Sequence, residues 1–291
     1  MKIIDIIQTF KDENDSVDYL CNLRWAKDPQ CPYCRSTKTG KKKENGRRSR
    51  LQCHSCQRSF SPTINTIMHG TRLPLIKWFL AVALITEAKK SISSRQLARH
   101  LDIPVKTAYS VSQRIRKAMI GTKSPILQGI IEIDETYIGG KPRHKNSENK
   151  AKRGRGTNKQ MVVGMVERGG NVLTKAPINN AYNGNEVRNI MLDNIDLENS
   201  EVFSDDYKVY NKVKNYVSHN SVNHSAREYV RGHVHTNTIE GFWSLVKRAW
   251  YGTHHHYTKK YLTLYMAEAE FKYNYRKNEG EMFLTTIKAL I

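Results

Sequence analysis

Four of the five cysteines in this 291-residue chain fall in two tight pairs, Cys31-Pro-Tyr-Cys34 and Cys53-His-Ser-Cys56. Two CxxC knuckles about eighteen residues apart can bring four thiolates to the corners of a tetrahedron, a closed shell suited to structural Zn²⁺ with no open coordination position. This part of the chain is therefore expected to fold as a zinc ribbon. Thiols used in this way belong to a reducing compartment rather than to a disulfide framework. His54 is a bystander, since four cysteines already complete the shell, and Cys21 reads as an ordinary core residue. Between the knuckles run Lys41-Lys42-Lys43 and Arg47-Arg48-Ser49-Arg50, a basic hairpin suited to phosphate contact.

The same bias holds for the whole chain. Its formal net charge is +21 and its pI about 9.8, a surplus that favours a polyanionic partner, nucleic acid above all. No apolar run approaches the roughly 18 residues of a membrane span, and the first residues lack the pattern of a signal peptide, so no membrane association is expected and the compartment reads as cytoplasmic.

From Leu73 the pattern becomes helical. An apolar stretch from Pro74 to Ile85 has proline in its first turn. It is followed by Ser93–Leu101, a break at Asp102-Ile103-Pro104, and a second helix from Lys106 to Arg116. Short helix, tight turn and second helix match a helix-turn-helix. Lys106, Thr107, Ser110 and Arg114 would face DNA, while Val105, Ala108, Val111 and Ile115 pack inward.

Beyond Gly121 the periodicity is mixed. Strands are expected at 130–134, 161–166, 172–178 and 201–205, and helices at 185–193, 207–214, 238–250 and 259–276. That alternation suits an α/β domain with a mixed sheet. Lys141 to Lys159 is rich in Lys, Arg, Gly and Asn and poor in apolar residues. It reads either as a solvated linker or as a flap ordered by DNA through Lys152, Arg153 and Arg155.

Three acids interrupt the apolar patterns. Asp134 lies within Ile130-Ile131-Glu132-Ile133-Asp134-Glu135-Thr136, Asp205 ends Val202-Phe203-Ser204-Asp205, and Glu240 opens Thr238-Ile239-Glu240-Gly241-Phe242-Trp243. An Asp in a β-branched strand is costly to bury unless its charge is paired, and a divalent cation pairs it well. Two acids on neighbouring strands and a third on a helix can hold two ions about 4 Å apart, the geometry for in-line attack on a phosphodiester. Their spacing fits the first strand, fourth strand and late helix of an RNase H-like fold.

Three blocks carry a closer likeness: Ile131-Glu-Ile-Asp134-Glu-Thr-Tyr-Ile-Gly-Gly-Lys141, Ser204-Asp205-Asp-Tyr-Lys-Val-Tyr210, and His233-Val-His-Thr-Asn237-Thr-Ile-Glu240-Gly-Phe-Trp-Ser-Leu-Val-Lys247-Arg248. Together with the upstream ribbon, they resemble the bacterial insertion-sequence transposases of the zinc-ribbon, DDE type related to Merlin elements, the ISXO2-like group. The resemblance implies strand cleavage and transfer at terminal inverted repeats, with double-stranded DNA as both element end and target, at least a dimer on DNA, and a nucleoid setting. It also implies Asp134 and Asp205 as ligands of catalytic Mg²⁺ or Mn²⁺. The third position is an acid or an Asn followed by a Lys, and this chain offers both Glu240 and Asn237. Carboxylates bind Mg²⁺ better than neutral amides, which favours Glu240 as ligand and Asn237 as support. Lys247 lies two helical turns beyond Glu240 and, with Arg248, is expected at a DNA phosphate. Asp206 reads as structural, His224, His233 and His235 as hydrogen-bonding residues, His254-His255-His256 as DNA contact or packing, and Trp243 and Trp250 as core.

The expected architecture is α+β and multidomain. It comprises a zinc ribbon with an N-terminal extension (1–62), a helix-turn-helix region (63–120) and an RNase H-like α/β catalytic domain (121–291) carrying the basic loop 141–160.

Overall fold

Asp12 starts the first long helix. Its carboxylate accepts the backbone N–H groups of Asn14 and Asp15 at 2.7 and 2.9 Å, and Asp15 reaches back to the Asp12 N–H, a reciprocal cap that satisfies otherwise orphaned donors. Helices α1 (Ile3–Thr9) and α2 (Glu13–Trp25) thus precede the ribbon. The computed structural model describes residues 1–26, 28–42, 50–120, 122, 126–140, 159–176, 183–205, 210, 215–223, 226, 228–256 and 258–291. The hairpin residues Lys43, Arg47, Arg48 and Ser49, the loop residues Lys152, Arg153 and Arg155, Asp206, His224 and most of the helix expected at 207–214 lie outside the described residues.

The ribbon is a three-stranded antiparallel sheet, β1 (Thr39–Lys42), β2 (Arg50–Cys53) and β3 (Ser59–Phe60). Each knuckle turns back through the residue after its second cysteine: Arg35 and Gln57 both take positive φ, 60° and 57°. The turns are closed by Cys31 N–H to Ser36 O and Cys53 N–H to Arg58 O, at 2.9 and 3.0 Å.

Helices α3 (Leu75–Glu87), α4 (Ser94–Leu101) and α5 (Val105–Ile120) follow. The Ser93 hydroxyl caps α4 by accepting the Gln96 N–H, and Asp102 ends it in the left-handed region at φ 47°. Pro104 then begins α5 after a short turn, giving the expected helix-turn-helix. A last helix, α9 (Glu279–Leu290), packs against α3 and α5. Phe283 meets Phe79 edge-on, and Leu290 O accepts the Ile67 N–H at 3.0 Å. The chain divides into two compact units, Met1–Thr122 with Asn278–Ile291, and Lys123–Lys277, so α9 groups with the N-terminal helices rather than with the domain expected to end at residue 291.

The second unit is a five-stranded sheet: β4 (Leu127–Ile138), β5 (Gln160–Glu167), β6 (Val172–Lys175), β7 (Ile195–Asp205) and β8 (Ser218–Val222). The spatial order is β6-β5-β4-β7-β8. The first three strands pair antiparallel, and β7 and β8 run parallel to β4. Counted within the unit this is order 3-2-1-4-5, the RNase H-like arrangement. One face buries Ile131, Ile133, Met165 and Val202 with Val187 and Met191 of α6 (Gly184–Asn194). The other buries Val162, Val166 and Val172 under Ile239, Phe242 and Trp243 of α7 (Asn237–Arg248) and Met266 of α8 (Leu262–Asn274). Trp243 and Trp250 are core residues as expected, 2% and 6% exposed. A π-helical turn, Ala249–His254, extends α7. The free edge of β6 is covered by α8: Asn274 bonds both the N–H and O of Val172, and Glu270 accepts the Thr174 N–H, removing a template for unwanted strand pairing.

Candidate active site and metal centres

The four knuckle cysteines converge. Their sulfurs lie within 4.8 Å of one another, with Cys31–Cys56 and Cys34–Cys53 separations of 3.7 and 3.5 Å. Zn–S bonds of about 2.3 Å imply tetrahedral S···S edges of about 3.8 Å, so the donors and their spacing fit zinc. His54 is outside this group, and Cys21 is buried with its thiol pushed up to about 11, chiefly by desolvation.

The acids converge as well. Ile133 and Ser204 are register partners on parallel β4 and β7, which sets Asp134 and Asp205 one step further along side by side, on the sheet face covered by α7. Carboxylate oxygens of Asp134, Asp205 and Glu135 lie within 4.8 Å of one another. Glu240, on the first turn of α7, stands outside that group but within electrostatic reach. Asp134 is pushed up to about 8, first by burial of its carboxyl and then by the charges of Glu135 and Asp205, with a smaller push from Glu240. A divalent cation relieves this kind of repulsion, so the cluster fits one.

Sequence reasoning missed Glu135. Strand alternation points it to the face opposite Asp134, where Tyr210 donates to it at 2.8 Å, yet near the strand end its carboxylate still reaches the cluster. The phenol of Tyr210 is held well above its usual range by burial and then by Glu135. Glu132 was missed too. It is fully buried and bonded to Arg168 at 2.6 Å.

Asn237 is exposed at the start of α7, and its backbone N–H points to His235 Nδ1. The Thr236 hydroxyl donates to Glu240 at 3.2 Å. Lys247 and Arg248 are exposed at the end of the same helix. His233 is largely exposed, 3.7 Å from Glu201, and His235 is partly buried beside Glu132. The ring of His254 packs on Tyr265 and that of His256 on Trp250.

On α5, Lys106 and Ser110 are exposed and Thr107 half-buried. One expectation there needs correction. Val105 is 49% exposed, because the first residue of the helix lies beyond the packed part of the α4–α5 contact. Arg114 is half-buried and donates to Ile67 O at 3.3 Å, so part of its hydrogen-bonding capacity is turned into the protein.

Residues 126–274 match the ISXO2-like transposase domain, and residues 11–59 match the transposase zinc-ribbon domain. The chain belongs to the ISXO2-like transposase family. This transposase is also 30% identical to an uncharacterized protein in transposable element ISH50 of Halobacterium salinarum, over 97% of each chain. That relative is archaeal, so the bacterial setting carried by the sequence resemblance finds no support in it. The Mos1 strand transfer complex is similar at 11% identity over 72% of this chain and 76% of that one, with a TM-score of 0.32. The mariner Mos1 paired end complex with Mg gives 12%, 76%, 80% and 0.28. These likenesses are too weak to bear on the transposase. No described helix is long and apolar enough to cross a membrane.

Proposed function

We propose that the chain binds the terminal inverted repeats of its insertion sequence, cuts one strand at each end, and joins the freed 3′ hydroxyl to target DNA. The observation that carries this reading is the adjacency of Asp134 and Asp205 on parallel strands, in a chain of a transposase family. Two Mg²⁺ or Mn²⁺ ions would activate the attacking hydroxyl and stabilise the leaving oxygen, so no covalent enzyme intermediate is needed. Asp134 and Asp205 would hold them, and Glu240 would complete the set with Asn237 in support. The Glu240 charge already acts on Asp134, whereas a neutral amide would contribute less. Lys247 and Arg248, exposed on the same helix, hold backbone phosphates.

The ribbon zinc keeps the knuckles folded. Lys106, Thr107 and Ser110 read the end in the major groove, with Arg114 in a lesser role because of its bond to Ile67. Lys152, Arg153 and Arg155 add sequence-independent phosphate contacts. Pairing two ends requires at least a dimer on DNA, acting on the nucleoid in the cytoplasm. A strand-transfer assay with the inverted repeats flanking the gene tests the reading. Joined products are expected; hydrolysis without joining would identify a nuclease, and end binding without cleavage a regulator.

A further inference from the structure

Helix α7 carries Asn237 and Glu240, yet its own cap is missing. Thr236, in the capping position, makes no side-chain bond to the helix N–H groups; its hydroxyl donates to Glu240 instead. The cap comes from the strand beneath, β4. Glu132 Oε2 accepts the N–H groups of Thr238 and Ile239 at 2.7 and 3.0 Å, and Oε1 accepts the Thr238 hydroxyl at 2.9 Å. Those are the second and third residues of the helix, the donors that a local cap ordinarily satisfies. A carboxylate there also complements the helix dipole.

Arg168, in the turn between β5 and β6, neutralises Glu132 through Nε at 2.6 Å. The same guanidinium donates to the carbonyls of His233 and His235 at 2.8 and 3.0 Å and to His235 Nδ1 at 2.9 Å. His235 Nδ1 also lies 3.3 Å from Glu132 Oε1. The guanidinium also lies over the ring of Phe203, two residues before Asp205, at 4.9 Å. One buried acid and one cation therefore tie together β4, β7, the segment leading into α7, and the first turn of α7.

We propose that Glu132 is a positioning residue: its carboxylate caps α7 in trans and so fixes where Glu240 and Asn237 stand relative to Asp134, two residues further along the same strand. The inference rests on the reading of Asp134, Asp205 and α7 as the active site. It separates two acids of one motif by role, since the oxygens of Glu132 are occupied by Arg168 and α7 while Asp134 faces other carboxylates.

The test is Glu132→Gln in the full-length protein, with Asp134→Asn alongside. End binding should match wild type. The Thr238 and Ile239 amides should exchange with solvent at least about tenfold faster, because the single oxygen of Gln cannot serve both these N–H groups and Arg168, and the charge that strengthens the cap is gone. Cleavage in Mg²⁺ should fall about 10- to 100-fold, as for other residues that orient ligands. It should recover in Mn²⁺, which is less demanding of octahedral geometry than Mg²⁺. Arg168→Lys keeps the charge but cannot span the same acceptors; it should show the same pattern in weaker form, and it carries the test if Glu132→Gln does not fold. Exposed amides with wild-type cleavage in Mg²⁺ would overturn the proposal. Loss of Mn²⁺ binding equal to that of Asp134→Asn would also overturn it, by making Glu132 a ligand. Wild-type cleavage by Asp134→Asn would instead sink the active-site reading itself, whatever Glu132 does.

Discussion

Gly164 and Trp243 compete for one volume. A Cβ on Gly164 would lie 2.7 Å from Trp243 Cη2 and 3.0 Å from Ile239 Cδ1, and Gly164 is the residue paired with Asp134 across the antiparallel strands. The missing side chain lets α7 seat directly over the strand position that carries the first acid. Gly164→Ala should therefore lift α7, costing about 1–3 kcal/mol as other overpacked sites do. Denaturant unfolding measures the loss, and cleavage should fall while end binding stays intact. Unchanged stability would mean that α7 yields freely.

Asp134→Asn and Asp205→Asn should each abolish cleavage by several orders of magnitude while leaving end binding near normal, because each removes both a ligand and the charge that draws in a cation. Glu240→Gln and Asn237→Ala then rank the third position. The ligand should behave like the aspartates, and the supporting residue should retain cleavage, more so in Mn²⁺.

The raised Asp134 carboxyl gives a pH signature. Its usual value is near 3.8, and in the fold it is pushed up to about 8. Between those values the folded chain holds a proton that the unfolded chain has released, so stability without divalent cation should fall as pH rises from about 4 to about 8. Added Mg²⁺ or Mn²⁺ should restore stability at the upper end, where its binding no longer has to displace that proton. Thermal midpoints of zinc-loaded protein across this range measure the slope, and Asp134→Asn should flatten it.

Native protein should contain one zinc per chain. Cys34→Ser should unfold the ribbon and weaken end binding, since metal binding and folding are coupled in such modules. Metal analysis with near-zero zinc and intact end binding would contradict the ribbon assignment.

End binding should weaken steeply with salt. With on the order of six phosphates neutralised, the log–log slope should be about −5. Replacing Lys152, Arg153 and Arg155 by Ala should flatten it without changing sequence preference, whereas Lys106→Ala should reduce preference for the terminal repeat. Filter binding over a salt series separates the two effects.

What could be read in the sequence was whatever local pattern determines. The β-branched runs of β4, β5 and β7, the knuckle spacing and the α4–α5 turn chemistry are short-range signals, and Asp134, Asp205 and Glu240 stood out as charges against apolar surroundings. Ser218–Val222 has no comparable signal: only Val222 is buried in that strand, which exists because β7 offers a parallel edge. Glu132 shares the period-two face of Asp134, a clue that it too is covered, but its partner Arg168 is 36 residues away and no spacing rule links them. Arg114 was read by its charge alone; its tie to Ile67 depends on how the connecting segment folds back.

The placement of α9 has a consequence for synthesis. The helix-turn-helix unit gains its final packing partner only when residues 279–290 leave the ribosome, long after its own residues have emerged, whereas the sheet bearing Asp134 and Asp205 has all its strands by residue 222 and its covering helices by residue 274. Translation therefore delivers every described strand and helix around the acidic centre before it delivers the last helix of the N-terminal unit.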